Sequence, residues 1–369
     1  MKVVHTSFEG RYSDNPRALY EAWIDRRPGD THTWIADPAH LHGFPAGVHT
    51  VPPAGPQCVE ALESADLLIG NTHTDLDWDK RPGAVYLQTW HGTPLKRVHF
   101  DVLWAPPGRL DRLTRDVNRW DLLISPNAQS TGLLRGAFGF TGEVLETGYP
   151  RNDVLNSPNR DEIRARVRRE LEIPDDTRVV LYTPTFRDDT VFADGRPDIE
   201  LGMRTGPLLE RLGDNHCLLL RLHYLMTDRR APEHGRFVRD VSYYPDVAHL
   251  YLAADVMVTD YSSTMFDFAV TGKPLLFFTY DLDRFRDEVR GFYFDLAEQA
   301  PGPLLSSQDE LADALLDLPA VERTYAARYA QFRERFCHLE DGHSTDRVLE
   351  RLWGSPPASS LSAPGLEVV

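Results

Sequence analysis

The most informative stretch for the fold is DVMVTDYSSTMFD, residues 255–267. It begins with apolar and β-branched residues, as a buried strand does, and continues through a hydroxyl-rich turn into a helical pattern. Gly272 and Pro274 then end the helix. Strand, polar turn and helix in this order are typical of one unit of a parallel α/β sheet.

The same alternation recurs along the chain and predicts two Rossmann-like domains that face each other across a cleft. We expect them at residues 1–158 and 159–353, with a flexible Pro/Ser/Ala-rich tail at 354–369. The predicted strands are Ala65–Ile69, Ala84–Leu87, Leu122–Ile124, Val144–Glu146, Val179–Tyr182, Cys217–Leu222, Asp255–Thr259 and Pro274–Phe278. The predicted helices are Arg17–Arg26, Gln129–Phe138, Asp161–Leu171 and Ser263–Val270.

Composition narrows the class of protein. The 369 residues are 41% hydrophobic and 26% charged, which is ordinary for a globular chain. A net charge of −16 argues against coating a nucleic acid, although a local cluster of cations can still bind phosphate. Cys58, Cys217 and Cys337 lack metal-ligand spacing and predict a reducing, cytoplasmic location. No apolar run approaches the roughly 20 residues of a membrane span, so we expect at most peripheral membrane contact.

The strongest candidate for chemistry is LQTWHGTPLK, residues 87–96, which follows a predicted strand. In open α/β sheets, ligands bind beyond the carboxyl ends of the strands, where this segment would lie. Gly92 permits close backbone approach, and a histidine with an ordinary pKa of about 6.5 can accept the proton of an attacking hydroxyl. We therefore interpret His91 as a general base; the alternative is a histidine that only holds the loop.

A second histidine, His223, lies near the end of LLLRLHY, residues 218–224. Alternation along a strand would place it on the same side as Arg221, and two cations facing a cleft suit a diphosphate. The alternative is a core histidine beside a surface arginine.

The hydroxyl-rich turn of the first stretch predicts a second phosphate-binding element. Ser262 and Ser263 lie at the start of the predicted helix, whose first amides can hold phosphate oxygens. Asp267 lies one turn further on the same face and could reach a ribose. The alternative is ordinary capping of the helix.

Two further strand ends indicate the same cleft. YTPTFR, residues 182–187, supplies hydroxyls and a cation, and TGYPRND, residues 147–153, places Arg151 near the domain junction. An arginine in a Gly/Pro turn after a buried strand is a good phosphate ligand.

The sequence offers two weaker metal candidates. Asp75, Asp77 and Asp79 alternate but lack the glycine and distal glutamate of a calcium loop, so we interpret them as a solvated loop. The turn FCHLEDGH, residues 336–343, does not have metal-ligand spacing and is interpreted as structural. We assign no metal site, and the motifs do not require a divalent cation.

Together these segments resemble the CDP-glycerol glycerophosphotransferase family, which includes teichoic acid primases and polymerases. The resemblance runs from YSDNPRALY, residues 12–20, to about Trp353. It implies a GT-B fold, with the acceptor on the N-terminal domain and the CDP-alditol held mainly by the C-terminal one. It also implies that His91 is the base and that His223 stabilises the diphosphate. The donor site would be lined by Trp90, Gly92, Thr93, Pro94, Arg151, Pro184, Thr185, Arg221, Ser262, Ser263 and Asp267.

The expected reaction is transfer of glycerol phosphate from CDP-glycerol to a hydroxyl of a lipid-linked glycan or polyol-phosphate acceptor. CMP would be released, in the synthesis of a teichoic-acid-like bacterial cell-wall or capsule polymer. We expect this at the inner face of the cell membrane, with no nucleic acid as partner. The alternatives are transfer of ribitol phosphate from CDP-ribitol, glycosyl transfer from a nucleotide sugar, and a polymer-binding module without activity.

Overall fold

The computed structural model describes residues 1–103, 108–185, 202–222, 237–289 and 291–354. It contains two parallel β-sheets, one in each half of the chain, with helices packed on their faces. The predicted α/β fold is therefore confirmed. The domain boundary after residue 158 stays a prediction, and the predicted tail lies outside the described residues apart from Gly354.

Within the described residues, the first sheet has seven strands in the order β3-β2-β1-β4-β5-β6-β7. Strands such as Leu67–Gly70 and Leu122–Ser125 are buried at every position, as expected where helices cover both faces of a parallel sheet. The strands are β1 Lys2–Thr6, β2 Thr31–Ile35, β3 Thr50–Val51, β4 Leu67–Gly70, β5 Val85–Gln88, β6 Leu122–Ser125 and β7 Glu143–Glu146.

Most connections in this half contain a helix or a 3₁₀ turn, whereas the one from β4 to β5 contains neither. Helix α4 shows why such helices form: the Asn127 side chain caps its first turn by accepting from Ser130 N, and Gly139 ends it in a left-handed conformation. The helices are α1 Asp14–Arg26, α2 Pro56–Ser64, α3 Arg109–Val117 and α4 Ala128–Phe138, with 3₁₀ turns at Pro38–Gly43, His99–Asp101 and Pro150–Asn156.

The second sheet has six strands in the described residues, in the order β10-β9-β8-β11-β12-β13. Its strands are β8 Arg178–Thr183, β9 His216–Leu220, β10 Val238–Asp240, β11 Val256–Thr259, β12 Leu275–Phe278 and β13 Leu304–Leu305. Its helices are α5 Arg160–Glu170, α6 Thr205–Leu212, α7 Val247–Ala253, α8 Thr264–Ala269, α9 Leu282–Arg284, α10 Leu296–Gln299, α11 Gln308–Leu316 and α12 Leu318–Phe336, with a π-helical turn at Phe285–Val289.

The last described helix, α13 (Ser344–Trp353), packs on the first sheet rather than the second. Val348 and Leu349 are buried in one cluster with residues of β1 and α1, and the rings of Trp353 and Trp23 meet edge to face at 5.4 Å. The two halves are therefore joined twice along the chain, once after β7 and once before α13. No helix in the described part of the chain is long and apolar enough to cross a bilayer.

Candidate active site

A cleft of about 980 Å³ lies between the carboxyl ends of the two sheets. All the candidate residues that the structure describes line it: Trp90, His91, Gly92, Thr93, Pro94, Arg151, Pro184, Thr185, Arg221, Ser262, Ser263 and Asp267. His223 and the candidate cation Arg187 lie outside the described residues.

His91 is half-buried and held in one orientation by the main chain. Its Nδ1 lies 2.5 Å from the carbonyl oxygen of Asn71. A carbonyl can only accept, so Nδ1 carries the proton and Nε2 keeps its lone pair. Burial lowers the pKa of His91 to about 4, which leaves the imidazole neutral at physiological pH. These are the properties of a general base.

The residue before His91 adopts an unusual backbone conformation. Trp90 has φ of 51°, in the left-handed region that residues other than glycine rarely enter. Its amide donates to Gln88 Oε1 at 2.9 Å, and its ring lies 3.9 Å from the His91 ring between centroids. Such strain persists only where the surroundings hold it, and the residue that follows, His91, lines the cleft.

Arg151 is buried and donates to three acceptors from different parts of the chain. They are Asp14 Oδ2 at 2.7 Å, the main-chain oxygen of His91 at 2.8 Å and Asp267 Oδ2 at 2.8 Å. The guanidinium fork suits such a multiple contact, which a lysine could not reproduce. Arg151 therefore connects the His91 loop to the helix α8 side of the cleft.

Two asparagines complete this network. Asn15 donates to Trp90 O and accepts from Arg151 N, both at 3.1 Å. Asn152 donates to Asp267 Oδ1 at 2.8 Å, so both carboxylate oxygens of Asp267 have protein partners. Burial raises the pKa of Asp267, against the opposing effect of Arg151.

The His91 loop also touches the second half of the chain directly. A Cβ added at Gly92 would lie 2.7 Å from Ser263 Oγ, so glycine is what allows this approach. Further along, the amide of Tyr293 donates to Leu95 O at 2.8 Å, and Lys96 pairs with Phe292 in an antiparallel bridge. The predicted base is thus fixed relative to the predicted donor-binding turn.

The predicted donor-binding turn leaves the hydroxyls of Ser262 and Ser263 without strong hydrogen bonds in the described structure. Ser263 precedes α8 without a capping hydrogen bond, and Ser262 Oγ accepts only a long bond of 3.4 Å from Thr264 N. Ordinary helix capping therefore does not explain Ser263. The neighbouring loop is fixed by the amide of Thr185, which donates to Asp260 Oδ1 at 2.8 Å.

The strand predicted at Cys217–Leu222 ends instead at Leu220, which corrects one step of the sequence argument. Arg221 lies in the following loop, so strand alternation cannot place it beside His223. Its Nη1 donates to the carbonyls of Val241 and Tyr244 at 2.9 and 2.5 Å. This guanidinium holds a loop at the edge of the cleft.

Four site residues escaped the sequence analysis: Asp14, Asn15, Asn71 and Asn152. They hold the loops around His91 and Arg151 rather than pointing to a chemistry of their own. The signal that could have found the first two is a run of polar residues at the start of a helix, Ser13–Asn15, in which the structure buries Asn15 and half-buries Ser13 and Asp14. Asp14 itself has φ of 63°, a second strained residue at the site.

The acidic loop and the histidine-containing turn form no metal centre in the described residues. Asp75 lies 3.5 Å from both His73 Nε2 and Arg112 Nε, and Asp77 lies 3.5 Å from Arg115. In the turn, Glu340 is buried and accepts from the Tyr149 amide at 3.1 Å. Burial and the nearby Asp267 raise its pKa to about 8.

Residues 1–354 match the family described as CDP-Glycerol:Poly(glycerophosphate) glycerophosphotransferase. The chain belongs to this family. The match includes both sheets and every described residue of the cleft, so the resemblance found in the sequence is confirmed.

Two relatives give the family match more detail. A "Teichoic acid glycerol-phosphate transferase" of Staphylococcus aureus (strain NCTC 8325 / PS 47) is 39% identical over 95% of this chain and 92% of its own length. A "Teichoic acid poly(glycerol phosphate) polymerase" of Bacillus subtilis (strain 168) is 36% identical over 95% of this chain. The matched part is 48% of that polymerase, so this chain spans about half its length.

Solved structures give the same answer for the fold. The structure of a variant of the wall teichoic acid polymerase TagF with CDPG superposes with a TM-score of 0.87 at 35% identity. The match covers 95% of this chain and 88% of that one. The GT-B-like fold is thereby confirmed, and the protein is an enzyme of the glycerophosphotransferase family.

Proposed function

We propose that this protein transfers glycerol phosphate from CDP-glycerol to a hydroxyl of a polyol-phosphate or lipid-linked acceptor and releases CMP. The observation that carries the proposal is the neutral His91, whose Nδ1 donates to Asn71 O and whose Nε2 is left to accept a proton in the cleft. Its polymer product would be a teichoic-acid-like cell-wall component.

In the proposed reaction the acceptor hydroxyl gives its proton to His91 Nε2 as its oxygen attacks the phosphorus that carries glycerol. A new P–O bond forms, and the bond from that phosphorus to the oxygen bridging it to the CMP phosphate breaks. The bond's electron pair leaves with CMP. A positioned general base contributes roughly 10²–10⁴ in rate.

We place the donor diphosphate at the turn that begins α8. Ser262 and Ser263 lack strong capping bonds, and Gly92 brings the His91 loop against Ser263, which supports placing the diphosphate beside the base. Negative charge grows on the leaving phosphate, so fixed donors there stabilise the transition state. His223 remains the proposed second diphosphate ligand.

Arg151 and Asp267 have different roles in the proposed reaction. Because Arg151 already contacts two carboxylates and the His91 carbonyl, its main role would be to position the base relative to the donor turn. Each carboxylate oxygen of Asp267 already accepts one hydrogen bond, from Arg151 or Asn152. The donor ribose would therefore donate to the remaining lone pairs of these oxygens.

Ribitol phosphate is the second candidate for the transferred group. The relatives at 36–39% identity carry glycerol-phosphate names, which favours the glycerol donor. We propose a cytoplasmic reaction at the inner membrane face; free Cys58, Cys217 and Cys337, all buried, are compatible with that compartment.

The test is CMP release from CDP-glycerol in the presence of a glycerol-phosphate oligomer, with CDP-ribitol and a panel of nucleotide sugars as competing donors. We expect CMP from CDP-glycerol, and a loss of about 10²-fold or more in His91→Ala with donor binding retained. His338→Ala is the matched control, because His338 is exposed and outside the cleft. Release of UDP or GDP from a sugar nucleotide, or normal turnover by His91→Ala, would contradict the proposal.

A further inference from the structure

The cleft extends beyond His91 into a part of the first half that none of the candidate donor residues lines. Two groups of residues line this extension. One, here called the His73 patch, includes His73 and Asp75 from the loop after β4, together with Val98, Arg109 and Leu110. The other, the α1 patch, includes Glu9, Arg17, Glu21 and Asp25.

The His73 patch is continuous with the base. His73 lies two residues after Asn71, whose carbonyl holds His91. Its ring meets that of His99 at 6.2 Å, His99 meets Trp90 at 5.1 Å, and Trp90 meets His91 at 3.9 Å between centroids. A molecule that presents a hydroxyl to His91 can therefore continue along this patch.

Among the described residues, the charged side chains of the His73 patch leave one positive charge unpaired, which suits a ligand with one negative charge. Asp75 faces both His73 and Arg112, each at 3.5 Å, so its charge is balanced by that of Arg112. Arg109 forms no ion pair with any residue that the structure describes, and it is only half-buried. The patch thus offers one uncompensated guanidinium and an imidazole within a lining that also contains Val98 and Leu110.

The α1 patch has the opposite character. Glu9, Glu21 and Asp25 supply three carboxylates to the lining. Its cation Arg17 is already engaged, at 2.8 Å from Glu21 and 3.7 Å from Asp246. Because like charges repel, these three carboxylates disfavour an anionic chain beside them.

We propose that His73 and Arg109 bind the phosphodiester of the acceptor that lies next to its attacking hydroxyl. This inference rests on the proposed function, since it gives the acceptor a polyol-phosphate chain. A phosphodiester carries one negative charge, as the patch requires, and the guanidinium fork matches two of its oxygens. The apolar residues would contact the carbon chain of the polyol. The patch therefore selects acceptors that already carry a polyol-phosphate unit.

Calorimetry tests the subsite without turnover. The probe is a glycerol-phosphate trimer with a free terminal hydroxyl, compared with inorganic phosphate and with neutral triglycerol. We expect Arg109→Ala to weaken trimer binding about tenfold, or roughly 1.4 kcal/mol. Arg109→Lys should recover part of this loss. Arg115→Ala is the matched control on the same helix, because Arg115 pairs with Asp77 at 3.5 Å and does not line the cleft.

The outcomes separate this subsite from the proposed reaction. The subsite would be overturned if Arg109→Ala bound the trimer as tightly as the wild type does. It would also be overturned if the wild type bound inorganic phosphate or triglycerol as tightly as the trimer. Absence of trimer binding to the wild type would also overturn it. Failure of the proposed reaction would instead appear as no CMP release from CDP-glycerol by the wild type, which the calorimetry does not depend on.

Discussion

Arg151 and Asp267 form a buried ion pair across the cleft, with 2.8 Å between Nη2 and Oδ2 and both side chains only 6% exposed. The arginine follows the last strand of the first sheet, and the aspartate lies on α8 in the second half. The same guanidinium pairs with Asp14 and binds the His91 carbonyl. One side chain therefore joins the two halves of the molecule and positions the proposed base.

We expect Arg151→Ala to lower the free energy of unfolding by about 3–5 kcal/mol, because it leaves Asp14 and Asp267 buried without their cation. Urea unfolding followed by tryptophan fluorescence measures this. Arg351→Ala is the control, since its ion pair with Glu143 is about half exposed on both sides and should contribute at most about 1 kcal/mol. If the two variants lost equal free energies of unfolding, the buried Arg151 ion pairs would contribute no more to stability than the exposed Arg351 pair.

The second prediction concerns pH. Burial lowers the pKa of His91 to about 4. Nearly all of the imidazole is therefore in its neutral, proton-accepting form at pH 5.5 and above, and this form is lost only as the pH falls through about 4. We expect kcat/KM for CDP-glycerol to show no loss from this group between pH 5.5 and 7.5, because kcat/KM reports the free enzyme. The donor diphosphate has no ionisation in that range that would mask the result. An acidic limb centred near pH 6.5, in protein shown to be folded by circular dichroism, would contradict this assignment.

Sequence reasoning located the strand ends that carry the proposed chemistry because each motif is local. The Trp90–Pro94 turn and the Ser262–Ser263 turn each follow an apolar run that forms a buried strand in the structure. A strand followed by a polar, glycine- or hydroxyl-rich turn can be found within about ten residues of sequence. In a parallel sheet these turns gather at one edge, so the cleft follows from the fold class.

The supporting network could not be found in this way, because its contacts join residues far apart in the chain. Asn15 contacts Trp90, and Asn152 contacts Asp267, with nothing in either local pattern to name the partner. Helix α13 is a similar case, because nothing in its own sequence indicates that Val348 and Leu349 pack on the first sheet. Strand β1 was missed because KVVHT is short and includes a histidine, which the structure buries completely.

The third prediction uses the contact between Gly92 and Ser263. We expect Gly92→Ala to reduce turnover at least tenfold, since its Cβ would lie 2.7 Å from Ser263 Oγ and 3.1 Å from Ser263 Cβ, so that the base and the donor turn must separate. Steady-state CMP release measures the loss. Gly132→Ala is the control. Gly132 lies in helix α4, and a Cβ added there would have no atom of the described residues within 4 Å. Unchanged turnover in Gly92→Ala would show that the spacing between these two loops does not limit the reaction.

The last prediction concerns Glu340, the buried carboxyl that neighbours Asp267 in space. Burial, and then the charge of Asp267, raise its pKa from an ordinary 4.5 to about 8, while the Tyr149 amide, Arg151 and Asn152 act in the opposite direction. A carboxyl whose pKa is raised by folding stabilises the folded state fully below pH 4.5 and loses that contribution as the pH rises to about 8. The wild type should therefore lose stability across this range on account of Glu340.

Glu340→Gln removes the ionisation but retains a side-chain oxygen that can accept from the Tyr149 amide. We expect its melting temperature to depend less on pH between 5 and 8.5 than that of the wild type. At pH 8.5 it should exceed the wild-type value by at least about 2 °C, the shift that roughly 1 kcal/mol produces in a domain of 150–250 residues. Glu322→Gln serves as control, since Glu322 is exposed on α12 and its replacement should leave the pH dependence unchanged. The contrary outcome is a melting temperature that depends on pH in the same way for Glu340→Gln and the wild type. Glu340 would then already be ionised in the folded protein at pH 5. Its charge would be balanced by the Arg151 network and not by a proton.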